Sequence, residues 1–264
     1  MHSRHTDPHE ALMPRARPKP NSTPDDVAFG INACQMALEH NAARSVLWDQ
    51  ATRNHRVRDL VAAAANAGLV VQAVDTERLD QLTGGGVHQG VLARLKPVAW
   101  VDLREQVRPP GPALVLLLDG ITDPQNVGAI LRTSVALGVR AIVLPQRRGA
   151  LLTPGVHRAS AGLSFVAPVA SPQNLASAIR DLRASDFWVV AATGSAGATD
   201  ATAFDWPQRT ALVLGSEGEG VSHLLRQEAD FAVALPMDPR VESLNVGVAT
   251  GALGYLWKRQ WPAS

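Results

Sequence analysis

One stretch near the C-terminus limits the possible architectures more than any other part of the chain. The run Val246-Gly247-Val248-Ala249-Thr250-Gly251-Ala252-Leu253-Gly254 carries no charge, and its glycines fall at i, i+4 and i+7. That spacing puts them on one face of a helix. A glycine inside a helix costs about 0.5–1 kcal/mol relative to alanine, so three on one face call for a compensating contact, and another backbone pressed close would supply it. A helix that is merely buried would explain the apolarity but not the glycines. Ser243 reads as the N-cap of this helix, because its hydroxyl can accept from a first-turn N–H. A short apolar strand, Phe231 to Leu235, and a turn through Asp238-Pro239-Arg240 lead into it.

The remainder alternates helix and strand, the pattern of an α/β fold. Residues 1–24, with five prolines and little periodic apolarity, read as a disordered tail. Residues 25–97 read as a small α/β unit. Its helices are Gly30–His40, Val57–Ala67 and Thr76–Leu82, and its strands are Ser45–Trp48, Leu69–Val74 and Val91–Leu95. Residues 98–112 hold Arg104, Glu105, Arg108, Pro109, Pro110 and Gly111 with few apolar anchors, and read as a linker.

Residues 113–264 form the larger unit. Ala113 to Asp119 is a continuous apolar run, of the kind buried on both faces of a parallel sheet. A helix from Asn126 to Leu137, a strand Ala141–Leu144, a helical turn Arg158–Gly162 and a strand Phe165–Val169 follow. Next come a helix Asn174–Ala184 and strands Phe187–Ala192 and Thr210–Leu214. The architecture expected is a mostly parallel sheet with helices on both faces, in which ligands bind beyond the carboxyl ends of the strands.

Composition excludes several classes. No apolar run approaches the roughly 18 residues that span a bilayer, and Met1 to Pro20 lacks the apolar segment of a secretory signal. The single Cys34 forbids an intramolecular disulfide, which suits the cytoplasm, and its apolar neighbours mark a buried helix position. The histidines show no metal-ligand spacing, so no metal is expected. With a net charge of +1 there is no global basic field. Local clusters remain: Arg53, His55, Arg56 and Arg58 before and within a helix, and Arg147 with Arg148 after a strand.

Three strand ends stand out: Thr193-Gly194, Gly215-Ser216-Glu217-Gly218-Glu219-Gly220 and Leu235-Pro236-Met237. Glycines there let a ligand approach the backbone. The pattern is neither a dinucleotide fingerprint nor a Walker loop, which leaves a nucleotide-dependent oxidoreductase without support. Asn126 with Arg132, then Gly215 to Gly218, then Leu235 to Met237 with Ser243-Leu244-Asn245, closely resemble in this order the motifs of the SpoU (TrmH) family of RNA ribose 2′-O-methyltransferases in the SPOUT superfamily. The resemblance covers residues 113 to about 258. Gly30-Ile31-Asn32-Ala33 and His88-Gln89-Gly90-Val91 look like the ribosomal-protein-like substrate-binding domain of members acting on large-subunit ribosomal RNA.

The resemblance implies a trefoil-knotted catalytic domain, a cytoplasmic homodimer, an RNA substrate and S-adenosylmethionine as methyl donor. The expected target is a guanosine of 23S ribosomal RNA. The alternatives are a transfer RNA ribose and a non-catalytic RNA-binding protein that keeps the fold. It further implies that Thr193, Gly194, Gly215, Leu235, Met237 and Leu244 bind the adenosine part, that Ser243 and Asn245 orient the donor end and the ribose, and that Asn126 and Glu217 hold the catalytic arrangement. In the family's pattern Arg132 is the catalytic arginine, and the glycine-faced helix threads the knot near the dimer contact. Plainer roles compete for several of these residues: an N-cap for Asn126 and Ser243, a helix-start carboxylate for Glu217, a surface ion pair for Arg132. His88 reads as well for a structural histidine as for an RNA contact.

Overall fold

A computed structural model describes residues 26–97, 100–146, 152–195 and 197–262. The proline-rich tail and the Arg147-Arg148 pair lie outside the described residues.

The first unit is a four-stranded sheet with helices. Its elements are β1 (Val27–Phe29), α1 (Ile31–Glu39), β2 (Ala43–Asp49), α2 (His55–Asn66), β3 (Val70–Val74), α3 (Thr76–Thr83) and β4 (Val91–Leu95). The strand order is β1-β4-β2-β3, with β4 antiparallel to both neighbours and β2 parallel to β3. Cys34 is buried on α1, and burial pushes its thiol up to about 12, so it stays an inert core group. His88 is satisfied within the unit. Its Nδ1 accepts from the Gly90 N–H at 3.0 Å and its Nε2 lies 3.1 Å from Asp80 Oδ1, so both ring nitrogens are engaged within the unit.

The expected linker is structured. Residues 103–107 form a helix, α4 (Leu103–Val107), capped by Asp102, and both Leu103 and Val107 are buried in the core of the second sheet. Few apolar side chains sufficed, because these two lie at i and i+4 on one face. Arg209 secures the residues that follow. Its guanidinium donates to the carbonyls of Val107, Pro109, Gly111 and Ser185 and lies 4.4 Å over the Phe187 ring. Burial, then the nearby Arg140, lowers its pKa, which Asp186 opposes.

The second unit comprises β5 (Ala113–Asp119), α5 (Pro124–Leu137), β6 (Ala141–Val143), α6 (Pro154–Ala159), β7 (Val169–Ala170), α7 (Leu175–Arg183), β8 (Trp188–Ala192), β9 (Thr199–Asp200), β10 (Arg209–Gly215), α8 (His223–Glu228), β11 (Phe231–Ala234) and α9 (Val246–Gln260). The strand order is β7-β6-β5-β10-β8-β11-β9 and every pairing is parallel. Both faces of β5 and β10 are covered by apolar clusters, which accounts for their unbroken apolar sequences.

The strand expected at Phe165–Val169 is shorter. Leu163–Phe165 is a 3-10 turn and only Val169–Ala170 pairs. Phe165 is used elsewhere: it packs against the core of the first unit and stacks on the His157 ring at 4.6 Å. His157 is buried, contacts Ser164 Oγ at 2.8 Å, and is pushed down to about 4 by desolvation. Gly162, in the left-handed region at φ +85°, lies where a Cβ would collide with Met36 of α1, and Arg158 sits 5.7 Å over the Phe29 ring. Residues of α6 and the turn after it therefore seat the first unit on the second.

Residues Gly247, Gly251 and Gly254 of α9 face α5 of the same chain, opposite Ala129, Thr133 and Leu137. The partner is thus a row of side chains at helical spacing rather than a bare backbone. A backbone contact does exist on α5 itself, where an added Cβ at Gly128 would lie 2.8 Å from Ala159 C and Ser160 N of α6. We expect Gly128→Ala to overpack this contact and lower unfolding stability by about 1–3 kcal/mol in urea titration. A methyl at Gly251 would reach Thr133 Cγ2 at an ordinary 3.7 Å, so Gly251→Ala is expected to raise stability by about 0.4–1 kcal/mol.

Candidate active site

The carboxyl ends of β8, β10 and β11 open onto a cavity of about 440 Å³. Thr193 and Gly194 follow β8, Gly215 ends β10, and Leu235 and Met237 follow β11. All five line the cavity, as do Glu217, Ser243 and Leu244. The structure thus brings together segments separated by tens of residues in the chain, because parallel strands send all their outgoing loops to one edge.

Different glycines here have different causes. An added Cβ at Gly215 would collide with the Gly220 carbonyl and the Val221 nitrogen, so two backbones cross in contact at that point. Gly218 and Gly220 hold φ of +91° and +67° in the loop that makes this crossing. Gly194 has no internal reason of either kind. An added Cβ there would meet nothing within 4 Å, yet the residue borders the cavity, and its missing side chain leaves space for a ligand.

At the cavity's edge, three side chains meet. Glu217 Oε1 accepts from Asn126 Nδ2 at 3.1 Å and from Asn245 Nδ2 at 2.9 Å, and Asn245 Nδ2 also donates to Asn126 Oδ1 at 2.7 Å. Asn245 Oδ1 accepts from the Gly247 and Val248 N–H groups, so Asn245, not Ser243, caps α9. Ser243 lies two residues upstream, in the loop that borders the cavity. Asn126 is not a cap either. Asp123 caps α5 and accepts from the Asn126 N–H at 2.8 Å. Nor does Glu217 start a helix, since α8 begins at His223, just after Ser222, whose N–H donates to Asp119 Oδ2 at 2.7 Å.

Arg132 is not brought to this cavity. It lies exposed on α5, six residues beyond Asn126, hence about 9 Å along the axis and well round the helix. Among the described residues no carboxylate pairs with it. Arg226, Glu219 and Glu242 line the cavity without having been singled out from the sequence. Glu219 sits inside the glycine loop and Glu242 beside Ser243, so adjacency could have flagged both. No local signal marks Arg226, whose helix has only six residues.

A parallel α/β sheet, a glycine-lined cavity at its carboxyl edge and an amide–carboxylate cluster beside it define a small-ligand enzyme site. Residues 113–255 match the SpoU rRNA Methylase family and residues 27–101 match the RNA 2′-O ribose methyltransferase substrate binding family. The chain belongs to the SpoU rRNA methylase family. A 23S rRNA (guanosine-2′-O-)-methyltransferase, RlmB, of Xylella fastidiosa (strain Temecula1) is 39% identical over 228 residues, covering 84% of this chain and 91% of the relative. RlmB of Escherichia coli (strain K12) is 36% identical over 233 residues, covering 86% and 95%. Among solved structures, the AdoMet-bound rRNA methyltransferase of Sinorhizobium meliloti aligns with a TM-score of 0.75 at 26% identity, covering 91% of this chain and 88% of that one. AviRb of Streptomyces viridochromogenes, solved with AdoMet, aligns with a TM-score of 0.75 at 25% identity, with 89% of each chain covered.

Asn245 joins the helix cap to the cluster, and two substitutions separate these roles. Asn245→Ala removes both and is expected to cost about 0.5–2 kcal/mol in denaturant unfolding. Asn245→Ser keeps a capping oxygen but cannot reach both partners, so stability is expected to return most of the way while the Asn126–Glu217 arrangement stays loosened.

Proposed function

We propose that the chain is an S-adenosylmethionine-dependent RNA methyltransferase that methylates a ribose 2′-hydroxyl, with a guanosine of 23S ribosomal RNA as its target. The observation that carries this reading is the cavity at the carboxyl edge of β8, β10 and β11, bordered by Gly194 with no internal reason to be glycine and flanked by the Asn126–Glu217–Asn245 cluster. Its volume falls in the range of about 300–1,000 Å³ that takes ligands of this size. Thr193, Gly194, Gly215, Leu235, Met237 and Leu244 would hold the adenosine part, with Ser243 at the donor end. The bound cofactor supplies an electrophilic methyl group.

A ribose hydroxyl is a weak nucleophile until its proton leaves. A guanidinium is a fork of N–H donors with no acceptor, so the role of Arg132 is to grip the adjoining phosphate and polarise the hydroxyl, with phosphate or solvent as the proton acceptor. Asn126 and Glu217 orient the reacting groups. Asn245, whose amide is already engaged on both atoms, acts by holding those two in position. The trefoil knot belongs to this reading and is supported by the match of residues 113–255 to the SpoU rRNA Methylase family. So does a homodimer, supported by exposed Val248 and Tyr255 on α9 and by the position of Arg132 outside its own chain's cavity.

Residues 113–264 serve as the catalytic domain and residues 25–97 as the RNA-binding domain. The support for the latter is the exposed basic cluster at the start of α2: Arg53, His55, Arg56 and Arg58. Arg56 also donates to Asn32 Oδ1 at 3.0 Å, within the segment that resembles the substrate-binding domain.

Arg132→Ala is expected to lower methyl transfer by about a hundredfold or more while calorimetry finds the cofactor affinity unchanged. Transfer near the wild-type rate would remove Arg132 from the mechanism. Reversing Arg53 and Arg58 to glutamate is expected to weaken RNA binding and flatten its dependence on salt, with cofactor binding intact. Equal RNA affinity and an equal salt slope would move the RNA contact elsewhere.

A further inference from the structure

Among the described residues that line the cavity, Arg226 is the one cation, facing a wall that also holds the carboxylates Glu217, Glu219 and Glu242. Arg240, in the loop after β11, is already used, forking onto Asp238 through Nε–Oδ1 and Nη2–Oδ2 contacts of 2.8 Å each. Nothing comparable engages Arg226. Among the described residues no carboxylate pairs with it and no hydrogen bond holds its side chain.

The backbone beneath Arg226 is nevertheless fixed. Its N–H donates to the Ser222 carbonyl at 3.0 Å, the preceding Leu225 is buried in the core, and the Ser222 N–H is held by Asp119 at the end of β5. An exposed guanidinium on an anchored helix, unspent within the protein and bordering a ligand cavity, is available to an anion, and its planar fork matches a carboxylate.

The proposed cofactor brings one such anion. Its adenosine is neutral, whereas its amino-acid end carries an ammonium and a carboxylate. Acidic side chains suit the ammonium but repel the carboxylate, and Arg226 is the group that can reverse that repulsion. We propose that Arg226 receives the carboxylate at the amino-acid end of S-adenosylmethionine, making it a cofactor-specificity residue. This rests on the reading that the cavity takes that cofactor.

The test compares two ligands on the full-length protein by calorimetric titration: S-adenosylhomocysteine, which keeps the carboxylate, and 5′-methylthioadenosine, which lacks the amino-acid end. Arg226→Gln is expected to weaken S-adenosylhomocysteine by about tenfold, the scale of one charge-assisted contact, and to leave 5′-methylthioadenosine unchanged. Arg226→Lys is expected to fall between wild type and Arg226→Gln. Unchanged 5′-methylthioadenosine binding also certifies that the variant is folded. Equal losses for both ligands, or no loss for either, would overturn the proposal, and no loss together with weaker RNA binding would assign Arg226 to the RNA instead. A wild-type protein that binds neither ligand would overturn the cofactor reading itself, and the proposal with it.

Discussion

A single carboxylate oxygen ties together three distant parts of the catalytic unit. Glu217 Oε1 sits 91 residues from Asn126 and 28 from Asn245 in the chain, yet accepts a hydrogen bond from both. Through Asn126 it reaches α5, and through Asn245 it reaches the first turn of α9, whose N–H groups the same asparagine caps. The cavity edge, the start of the last helix and the loop after β10 are therefore one connected unit.

The sheet itself was readable because burial on both faces leaves a plain mark. Ala113 to Asp119 and Thr210 to Leu214 show unbroken apolar runs, and both lie at the centre of the strand order. Elements whose stability comes from tertiary contacts were harder to see. Leu103 and Val107 anchor α4 with two side chains, β9 pairs over two residues only, and α8 is a short polar helix held by its buried Leu225. Phe165 misled in the other direction. Its β-favouring chemistry suggested a strand, but the residue serves the packing between the two units.

Within the site, glycine positions were legible as a pattern and illegible as causes. From the sequence, Gly194, Gly215 and Gly251 look alike. The structure divides them into one that makes room in the cavity, one that permits a backbone crossing and one that packs at ordinary distance against Thr133. Ser243 and Asn245 were assigned to neighbouring roles, and the cap fell to the second, since its amide can accept from the helix while donating to Glu217. Arg226 carries no sequence signal, because its relevance arises only when α8 docks beside the glycine loop.

The Arg209 clamp bears on how the two units respond to their surroundings. Its hydrogen bonds end on the neutral carbonyls of Val107, Pro109, Gly111 and Ser185, and its flat face is covered by Phe187. An exposed ion pair such as Arg104–Asp181 weakens as counterions accumulate, whereas an attachment to peptide dipoles has no opposite charge to be screened. The stretch joining the first unit to the second sheet thus keeps its hold across ionic strengths that would dissolve electrostatic contacts. Salt can in this way loosen the exposed ion pairs without loosening the protein's own joint.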